Sequence, residues 1–213
     1  MTIDNLFYPT IKRRSTYIGK GDGQVSRYSD YRDEIQEDCG NRCVYCDIKH
    51  AEIGYEGMHL DHFRPQKHFP GLTDNPTNLV LACPKCNSFK SYKWPAFKRI
   101  NACSHEGKTG FIDPFEESRK EYFAVSTDGS LLPLMDPAEY LIILMKLNRT
   151  ARIQVRRNRI IRHEMKKLSG KLENLISDLI TDWKAERISA DEAMRSMEQH
   201  CLRLVSLAEM MTV

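Results

Sequence analysis

The hydrophobic pattern of the first half of the chain predicts short elements. Apolar residues at helical spacing indicate a short helix over Tyr28–Asp38. Residues 57–63 alternate as in a short strand, and the apolar run 78–82 has the length of a second strand. Pro84 then suits the first turn of a helix, because an N–H in that turn has no partner within the helix. The pattern therefore predicts a strand, a loop, a strand and a helix, in that order.

The second half of the chain has the longer periodicity of amphipathic helices. Asp136 with Pro137 is typical of a helix N-terminus, and apolar residues then recur at helical spacing as far as Leu179. Gly170 is the expected position of an interruption. Ser189–Glu192 has the sequence of a capping box, which predicts one more helix at the C-terminal end.

These elements together predict an α+β fold. We expect a small ββα core, with a helix before it and a helical region after it. The turn pair Asp128–Gly129 indicates a small β element between the two parts. We place the division so that residues 1–110 form the core and residues 111–213 form the connecting element and the helical region.

Composition excludes several classes of protein. The chain has 213 residues, of which 41% are hydrophobic and 29% charged, and these values are typical of globular proteins rather than disordered ones. Mean hydropathy is −0.52, and the longest apolar run is far shorter than the roughly 18 residues that cross a membrane. The first residues mix acids and bases and lack the apolar segment of a signal peptide. We therefore expect a cytoplasmic protein with no membrane partner.

Four of the seven cysteines form two Cys-x-x-Cys pairs. They are Cys43, Cys46, Cys83 and Cys86. In a chain without an export signal such pairs favour metal binding over disulfides, and four thiolates are the ligand set of a structural zinc ion. A redox role would normally use one pair beside a βαβ pattern, so the second pair argues for zinc. The 36 residues between the pairs exceed the spacing of a zinc ribbon, which indicates an inserted segment.

Polar residues in and beside this insertion have the chemistry of phosphodiester hydrolysis. His62 can act as a general base on water, because an imidazole accepts a proton near neutral pH. Asp61 and Asn87 offer the oxygen ligands that Mg²⁺ prefers, and Mn²⁺ accepts the same set. Adjacent side chains in a strand point to opposite faces, so Asp61 and His62 can share a site only if the strand ends there. Arg64 and Lys90 are candidate contacts for phosphate.

Positive charge is concentrated in the second half. Between Lys146 and Lys171 there are ten Lys or Arg residues and a single acid, Glu164. Such density attracts phosphate backbones, and an acidic protein surface is the competing partner. The predicted nucleic-acid contacts in this stretch are Arg149, Arg152 and Arg156.

The order of these motifs resembles that of HNH endonucleases of the ββα-metal class with a four-cysteine zinc site. The similarity covers Cys43–Lys90 and includes Asp-His, a central Asn78 and Cys-x-x-Cys-Asn-x-x-Lys. It implies that His62 is the general base, Asp61 a ligand of the catalytic metal, and Asn78 the residue that fixes the loop and orients the base. Asn87 stands where the family name has its last histidine, which favours Mg²⁺ or Mn²⁺ over a softer metal.

The flanking segments resemble a narrower group, the PtuB effectors of Septu-type and retron-linked anti-phage systems. The similarity is carried by Ile112-Asp-Pro-Phe, Tyr122-Phe, Asp128-Gly129 and Leu147-Asn-Arg149. It implies a defence role in cutting nucleic acid, DNA in preference to RNA, with an ATPase partner of the PtuA type. Two alternatives stay open: a zinc-stabilised nucleic-acid-binding module without cleavage, which would have no need of Asp61, His62 and Asn87 together, and a thiol redox protein.

Overall fold

The predicted strand, loop, strand and helix are present. The computed structural model describes residues 6–19, 27–54, 57–95 and 97–210. Strand β1 (His59–His62) pairs antiparallel with β2 (Leu79–Ala82), with His59 opposite Ala82 and His62 opposite Leu79. Helix α2 (Pro84–Lys90) follows β2 directly, and Pro84 occupies its first turn as predicted. This ββα unit contains the motifs on which the candidate site depends.

A helix precedes this unit, as predicted. A 3-10 turn at Tyr28–Tyr31 leads into α1 (Arg32–Asp38), which packs against β2. Arg14 attaches the preceding segment to α1, because its Nε lies 2.9 Å from an Asp38 carboxylate oxygen and its Nη2 lies 2.9 Å from Glu37. The N-terminal segment thereby packs on the same unit as the cysteine pairs.

The core of the first half surrounds β2. All four residues of that strand are buried, which is why it reads as an unbroken apolar run. Trp94 and Phe111 are buried too, and their rings stack with centroids 5.8 Å apart. A two-stranded sheet of this size buries little apolar area. Its stability therefore depends on additional contacts and on the cysteine site.

Short elements connect this core to the helical region. They are β3 (His105–Glu106), β4 (Thr109–Gly110), α3 (Arg119–Tyr122), β5 (Phe123–Val125) and β6 (Leu131–Pro133). Strands β5 and β6 form the β element that was predicted around Asp128–Gly129. Gly129 has a φ of +91°, and a Cβ there would lie 2.3 Å from the Ile153 carbonyl oxygen, so only glycine fits.

Three helices complete the described chain: α4 (Ala138–Leu144), α5 (Thr150–Lys184) and α6 (Ala190–Met210). The predicted interruption near Gly170 is wrong, because α5 continues through Gly170. The helical region is interrupted instead between α4 and α5, where Lys146 has a φ of +47°. The predicted cap at Asp136 is also wrong, because Pro137 precedes the first helical residue. The capping box at Ser189–Glu192 is confirmed by two hydrogen bonds, of 2.9 and 3.2 Å.

The chain divides into two compact units, residues 1–157 and residues 158–213. Residues 111–157, which contain the connecting element and the first part of the helical region, therefore lie in the same unit as the cysteine pairs, and the boundary falls within α5. Among the helices of the described residues, none is long and apolar enough to span a membrane.

Candidate functional site

The four paired cysteines meet at one point. Cys43, Cys46, Cys83 and Cys86 are all buried, and their Sγ atoms lie within 4.8 Å of one another. The Sγ atoms of Cys46 and Cys83 are 3.7 Å apart. Tetrahedral zinc with Zn–S bonds of about 2.3 Å requires sulfur separations of about 3.8 Å. The cluster therefore fits a structural zinc ion.

Backbone geometry explains how the two cysteine pairs come together. The first pair lies in a tight knuckle, in which the Asp47 N–H donates to the Cys43 carbonyl at 2.9 Å and Asp47 has a φ of +60°. The Val44 N–H then donates to the Leu81 carbonyl at 2.9 Å, which attaches the knuckle to β2. The second pair follows β2 directly, because Cys83 caps α2 and Cys86 lies in its first turn. The cluster thus joins the knuckle, β2 and α2.

The other three cysteines lie apart from the cluster. Cys39 is buried, and its sulfur accepts the Leu81 N–H at 3.3 Å. Burial raises the pKa of the Cys39 thiol to about 11, so it stays protonated near neutral pH. Cys103 and Cys201 are exposed. Among the seven cysteines, all of which lie in described segments, only the four Cys-x-x-Cys residues therefore form a ligand set.

Two arginines of the basic stretch face the cysteine cluster. Arg152 donates from Nε to Cys46 Sγ at 3.3 Å and from Nη2 to Cys83 Sγ at 3.4 Å. Arg149 Nη2 lies 3.6 Å from Cys86 Sγ. A zinc ion with four thiolates carries a net charge of −2, and these two guanidinium groups neutralise it. This differs from the prediction of phosphate contacts, because both side chains already have partners inside the fold.

Arg156 is also internal. Its Nε donates to the Gly129 carbonyl at 2.6 Å and its Nη2 to the Leu147 carbonyl at 3.0 Å, and its exposed fraction is 1%. The predicted phosphate contact at Arg156 requires an exposed guanidinium, so the structure contradicts it. The side chain instead joins the β5–β6 turn to the start of α5.

Asp61 and His62 line one cleft with Asn87. The cleft has a volume of about 420 Å³, and its lining includes those three residues, Tyr28 and Lys67. Strand β1 ends at His62, which meets the condition for two adjacent side chains to reach one site. The side chains that were predicted to act together are thus in one cavity.

The ring of His62 has a defined orientation. Its Nε2 lies 2.8 Å from the Thr73 carbonyl oxygen. A carbonyl can only accept, so Nε2 carries the hydrogen and the lone pair of the neutral ring is on Nδ1. The ring also packs edge-on against Tyr28, with centroids 5.1 Å apart. His62 therefore has the tautomer that a general base needs.

Asn78 connects the two ends of the loop between β1 and β2. Its Oδ1 accepts the Arg64 N–H at 2.8 Å, and its Nδ2 donates to the Arg64 carbonyl at 3.0 Å and to the Leu72 carbonyl at 3.2 Å. The loop that carries Thr73 is thus fixed beside His62. This geometry is what the predicted orienting role of Asn78 requires.

Asn87 has a partner that the sequence analysis missed. Its Nδ2 lies 3.2 Å from Nδ1 of His59, at the start of β1. This contact directs the amide nitrogen to the imidazole and leaves Oδ1 as the free acceptor. The signal in the sequence was the spacing of His59 and Asp61, which share a strand face.

The carboxylate of Asp61 is held by two donors. The Tyr45 hydroxyl donates to Oδ2 at 2.6 Å, and Lys90 Nζ donates to Oδ1 at 3.1 Å. Burial raises the pKa of Asp61, and the charge of Lys90 and the Tyr45 hydrogen bond oppose that shift. Tyr45 was not predicted, although its place between two zinc ligands was visible in the sequence.

The two predicted phosphate contacts near the cleft are also engaged. Lys90 is fully buried, and Nζ additionally donates to the His62 carbonyl at 2.6 Å, which contradicts an exposed phosphate contact. Arg64 Nη2 donates to the Ala102 carbonyl at 2.7 Å, and the guanidinium lies 5.1 Å from the ring centroid of Trp94. Burial lowers the pKa of Arg64. Lys67, by contrast, is exposed and lines the cleft.

Comparison with known proteins agrees with this geometry. The family model described as HNH endonuclease matches residues 43–93. A CRISPR-associated endonuclease Cas9 of Actinomyces naeslundii is 39% identical over 70 residues, which are 33% of this chain and 6% of that protein. The Septu protein PtuB of Bacillus thuringiensis is 36% identical over 56 residues, or 26% of this chain and 21% of that protein.

A phage protein is also similar to part of this chain. Protein ea31 of Escherichia phage lambda is 35% identical over 57 residues, 27% of this chain and 18% of that protein. The chain thus matches at most 21% of the length of these three curated relatives. The family match covers the knuckle, the cleft residues Asp61, His62 and Asn87, and α2. Residues 43–93 of this chain are an HNH endonuclease domain.

Proposed function

We propose that the chain cleaves nucleic acid by metal-dependent hydrolysis of phosphodiester bonds. The observation that carries this proposal is the cleft in which His62, Asp61 and Asn87 meet. A bound divalent cation would polarise the scissile phosphate and stabilise the leaving oxygen. The side chains of the cleft supply the base and the ligands.

His62 is the proposed general base. With its Nε2–H donated to the Thr73 carbonyl, Nδ1 is the atom that takes a proton from the attacking water. The hydrogen bond to Thr73 also stabilises the imidazolium that results, because a carbonyl oxygen favours the positive ring. Asn78 supports this role by fixing the loop that contains Thr73.

Asp61 and Asn87 are the proposed ligands of the catalytic cation. A carboxylate oxygen and an amide oxygen are hard donors, and they match Mg²⁺ or Mn²⁺, which retain several water ligands. The amide of Asn87 has its nitrogen engaged by His59, so its oxygen is the atom available to the cation. Four cysteines hold a separate structural zinc ion in the same proposal.

Lys67 is the proposed phosphate contact. It is exposed and lines the cleft, and its Nζ lies 4.0 Å from the ring centroid of Tyr92. An ammonium group in this position adds to substrate affinity without reading sequence. We favour DNA as the substrate, with RNA as the second polymer to assay.

A biological role is proposed from the relative named PtuB. On that similarity, the chain is a cytoplasmic anti-phage defence effector with an ATPase partner of the PtuA type. Co-purification of the tagged chain from its native host, followed by identification of the bound proteins, tests this part. Recovery of an ATPase in stoichiometric amount supports it, and recovery of the chain alone contradicts it.

Cleavage is tested on plasmid DNA and on RNA with the zinc-loaded chain, in Mg²⁺ and in EDTA. We expect cleavage in Mg²⁺ only, and a loss of about 10²- to 10⁴-fold in His62→Ala, which is the range of general-base catalysis. His50→Ala is the matched control, because His50 is exposed and does not line the cleft. Binding of nucleic acid with no cleavage in any divalent cation would instead establish a zinc-stabilised binding module.

A further inference from the structure

We propose that the Tyr45 hydroxyl positions Asp61 for the catalytic cation, so that the zinc knuckle takes part in cation binding. This inference rests on the proposed function. It assigns Tyr45 a role as a positioning residue, because its hydroxyl contacts the proposed metal ligand and not the cation.

The two oxygens of Asp61 accept hydrogen bonds from one residue that precedes it in the chain and one that follows it. Tyr45, in the knuckle, donates to Oδ2 at 2.6 Å, and Lys90, at the end of α2, donates to Oδ1 at 3.1 Å. Tyr45 and Lys90 are themselves buried, with exposed fractions of 8% and 0%. The carboxylate therefore has both of its oxygens fixed before any cation binds.

These bonds leave part of the carboxylate unused. An ionised carboxyl group has about four lone-pair directions. The Tyr45 hydroxyl and the Lys90 ammonium, which lies 3.1 Å from Oδ2 as well as from Oδ1, do not use all of them. Asp61 also lines the cleft that it shares with His62 and Asn87. The remaining lone pairs are the ones available to a cation, and their direction is set by the two donors.

A purely structural role accounts less well for this arrangement. A buried carboxylate and ammonium lose their hydration, and apolar residues of similar size are often at least as stable in such a position. Burial indeed raises the pKa of Asp61 and lowers that of Lys90. Asp61 lines the cleft, where a fixed carboxylate serves cation binding.

The same contact joins the zinc site to the cleft. Tyr45 lies between the ligands Cys43 and Cys46, and its ring packs edge-on against Phe111 at a centroid distance of 6.3 Å. Its position is thus fixed on one side by the zinc ligands and on the other by an aromatic ring. Loss of zinc would free the knuckle and, with it, the donor to Asp61.

The test compares two tyrosine variants of the full chain. Tyr45→Phe keeps the ring and removes only the hydroxyl. Tyr17→Phe is the matched control, because the Tyr17 hydroxyl donates to Asp38 at the same 2.6 Å but lies outside the cleft. Zinc content is measured by elemental analysis, and affinity for Mn²⁺ by calorimetry.

We expect Tyr45→Phe to retain its zinc and to bind Mn²⁺ about 10- to 100-fold more weakly, the usual effect of removing a hydrogen bond to a metal ligand. Cleavage by this variant should recover as Mg²⁺ is raised, which a general loss of structure would not produce. Tyr17→Phe should bind Mn²⁺ as the wild type does. Equal Mn²⁺ affinity in Tyr45→Phe and the wild type would overturn the inference.

A second measurement does not depend on the variant folding. The wild-type chain carrying 3-fluorotyrosine at position 45 is titrated with Mg²⁺ while its ¹⁹F resonance is recorded. We expect the resonance to shift as the cation binds and the resonance of 3-fluorotyrosine at position 17 to stay constant. If the wild type cleaves but the resonance at position 45 does not change, the inference is contradicted and the proposed function is not. A wild type that neither binds a cation nor cleaves contradicts the proposed function as well.

Discussion

At the scale of single residues, the candidate site is a set of polar side chains that are each held by neighbouring groups. His62 contacts Thr73, Asn87 contacts His59, and Asp61 accepts from both Tyr45 and Lys90. For His62 and Asn87 the contact fixes which atom of the side chain remains free. The proposed base and the two proposed ligands are thereby oriented before substrate or cation arrives, which lowers the cost of organising them during the reaction.

The contact between His59 and Asn87 gives a prediction for the cation. In His59→Ala the amide of Asn87 loses the partner of its nitrogen, so the orientation of the amide is no longer fixed. We expect affinity for Mn²⁺ to fall about 10-fold, at the lower end of the effects of such partners. Calorimetry on the zinc-loaded variant measures this directly, and an affinity equal to that of the wild type would refute the orienting role of His59.

Lys67 gives a prediction for substrate binding. Lys67→Ala removes an exposed charge at the cleft, so affinity for nucleic acid should fall to a similar extent for all sequences. The slope of log affinity against log salt should decrease by about one, as for one lost phosphate contact. Fluorescence anisotropy at several salt concentrations measures both. Lys108→Ala, an exposed lysine in the β3–β4 turn, should leave the slope unchanged.

At the scale of elements, the start of α5 serves the cysteine cluster. Arg149 and Arg152 lie at and just after its N-terminal end and direct their guanidinium groups at three sulfurs. The charge of the zinc tetrathiolate is thus balanced by a helix that comes 63 or more residues later in the chain. The connecting element belongs with the HNH domain for this reason.

This arrangement predicts a change in the rate of zinc release. In Arg152→Ala two hydrogen bonds to sulfur and one positive charge are lost, so the thiolates are more basic and more open to protonation. We expect zinc to transfer to a chelating dye about 10-fold faster or more. Arg157→Ala is the control, because Arg157 is exposed on the same helix. Equal release rates in the two variants would contradict the neutralising role of Arg152.

A second element-scale prediction concerns pH. Glu117, just before α3, accepts from the Tyr122 hydroxyl and lies 2.9 Å from Nε2 of His105 on β3. Partial burial raises the pKa of Glu117, but the hydrogen bonds from Tyr122 and His105 outweigh it and hold the pKa below its usual value. An acid with a depressed folded pKa stabilises the fold above its unfolded pKa of about 4.3 and loses that contribution as pH falls through the folded value.

Glu117→Gln should therefore lower the melting temperature near pH 6, and the difference from the wild type should shrink as the pH falls below about 4. Comparing the two proteins at each pH separates this effect from acid release of zinc, which both share. Melting curves followed by circular dichroism provide the measurement. A difference that is constant with pH would show that the carboxylate charge of Glu117 contributes nothing.

At the scale of the whole molecule, the local elements could be predicted and the long-range contacts could not. Spacing and periodicity are local properties of the sequence. They predict the two cysteine pairs, the strands β1 and β2, and the helix that begins at Pro84. The basic stretch had no such local signal. Arg152 is separated from Cys46 by 106 positions, so its partner is set by the tertiary fold and not by the sequence around it.

Partners on the neighbouring element were missed for a related reason. Tyr45 and His59 are ordinary polar or aromatic residues in the sequence, and only the packing of the knuckle and α2 against β1 gives them a role. Lys90 was predicted as a phosphate contact, a role that requires an exposed ammonium group, and lysines are rarely buried unless they are paired. In this fold the charge of Asp61 brings it inside.

In this proposal one domain holds two metals in separate places, zinc on the four cysteines and a catalytic cation in the cleft. Anomalous diffraction from crystals of the zinc-loaded chain soaked in Mn²⁺ tests this most directly, with data on both sides of each metal's absorption edge. The account predicts a zinc peak among the four sulfurs and a manganese peak between Asp61 and Asn87, on the side facing Nδ1 of His62. Cysteines without zinc, or manganese bound only away from Asp61 and Asn87, would contradict it.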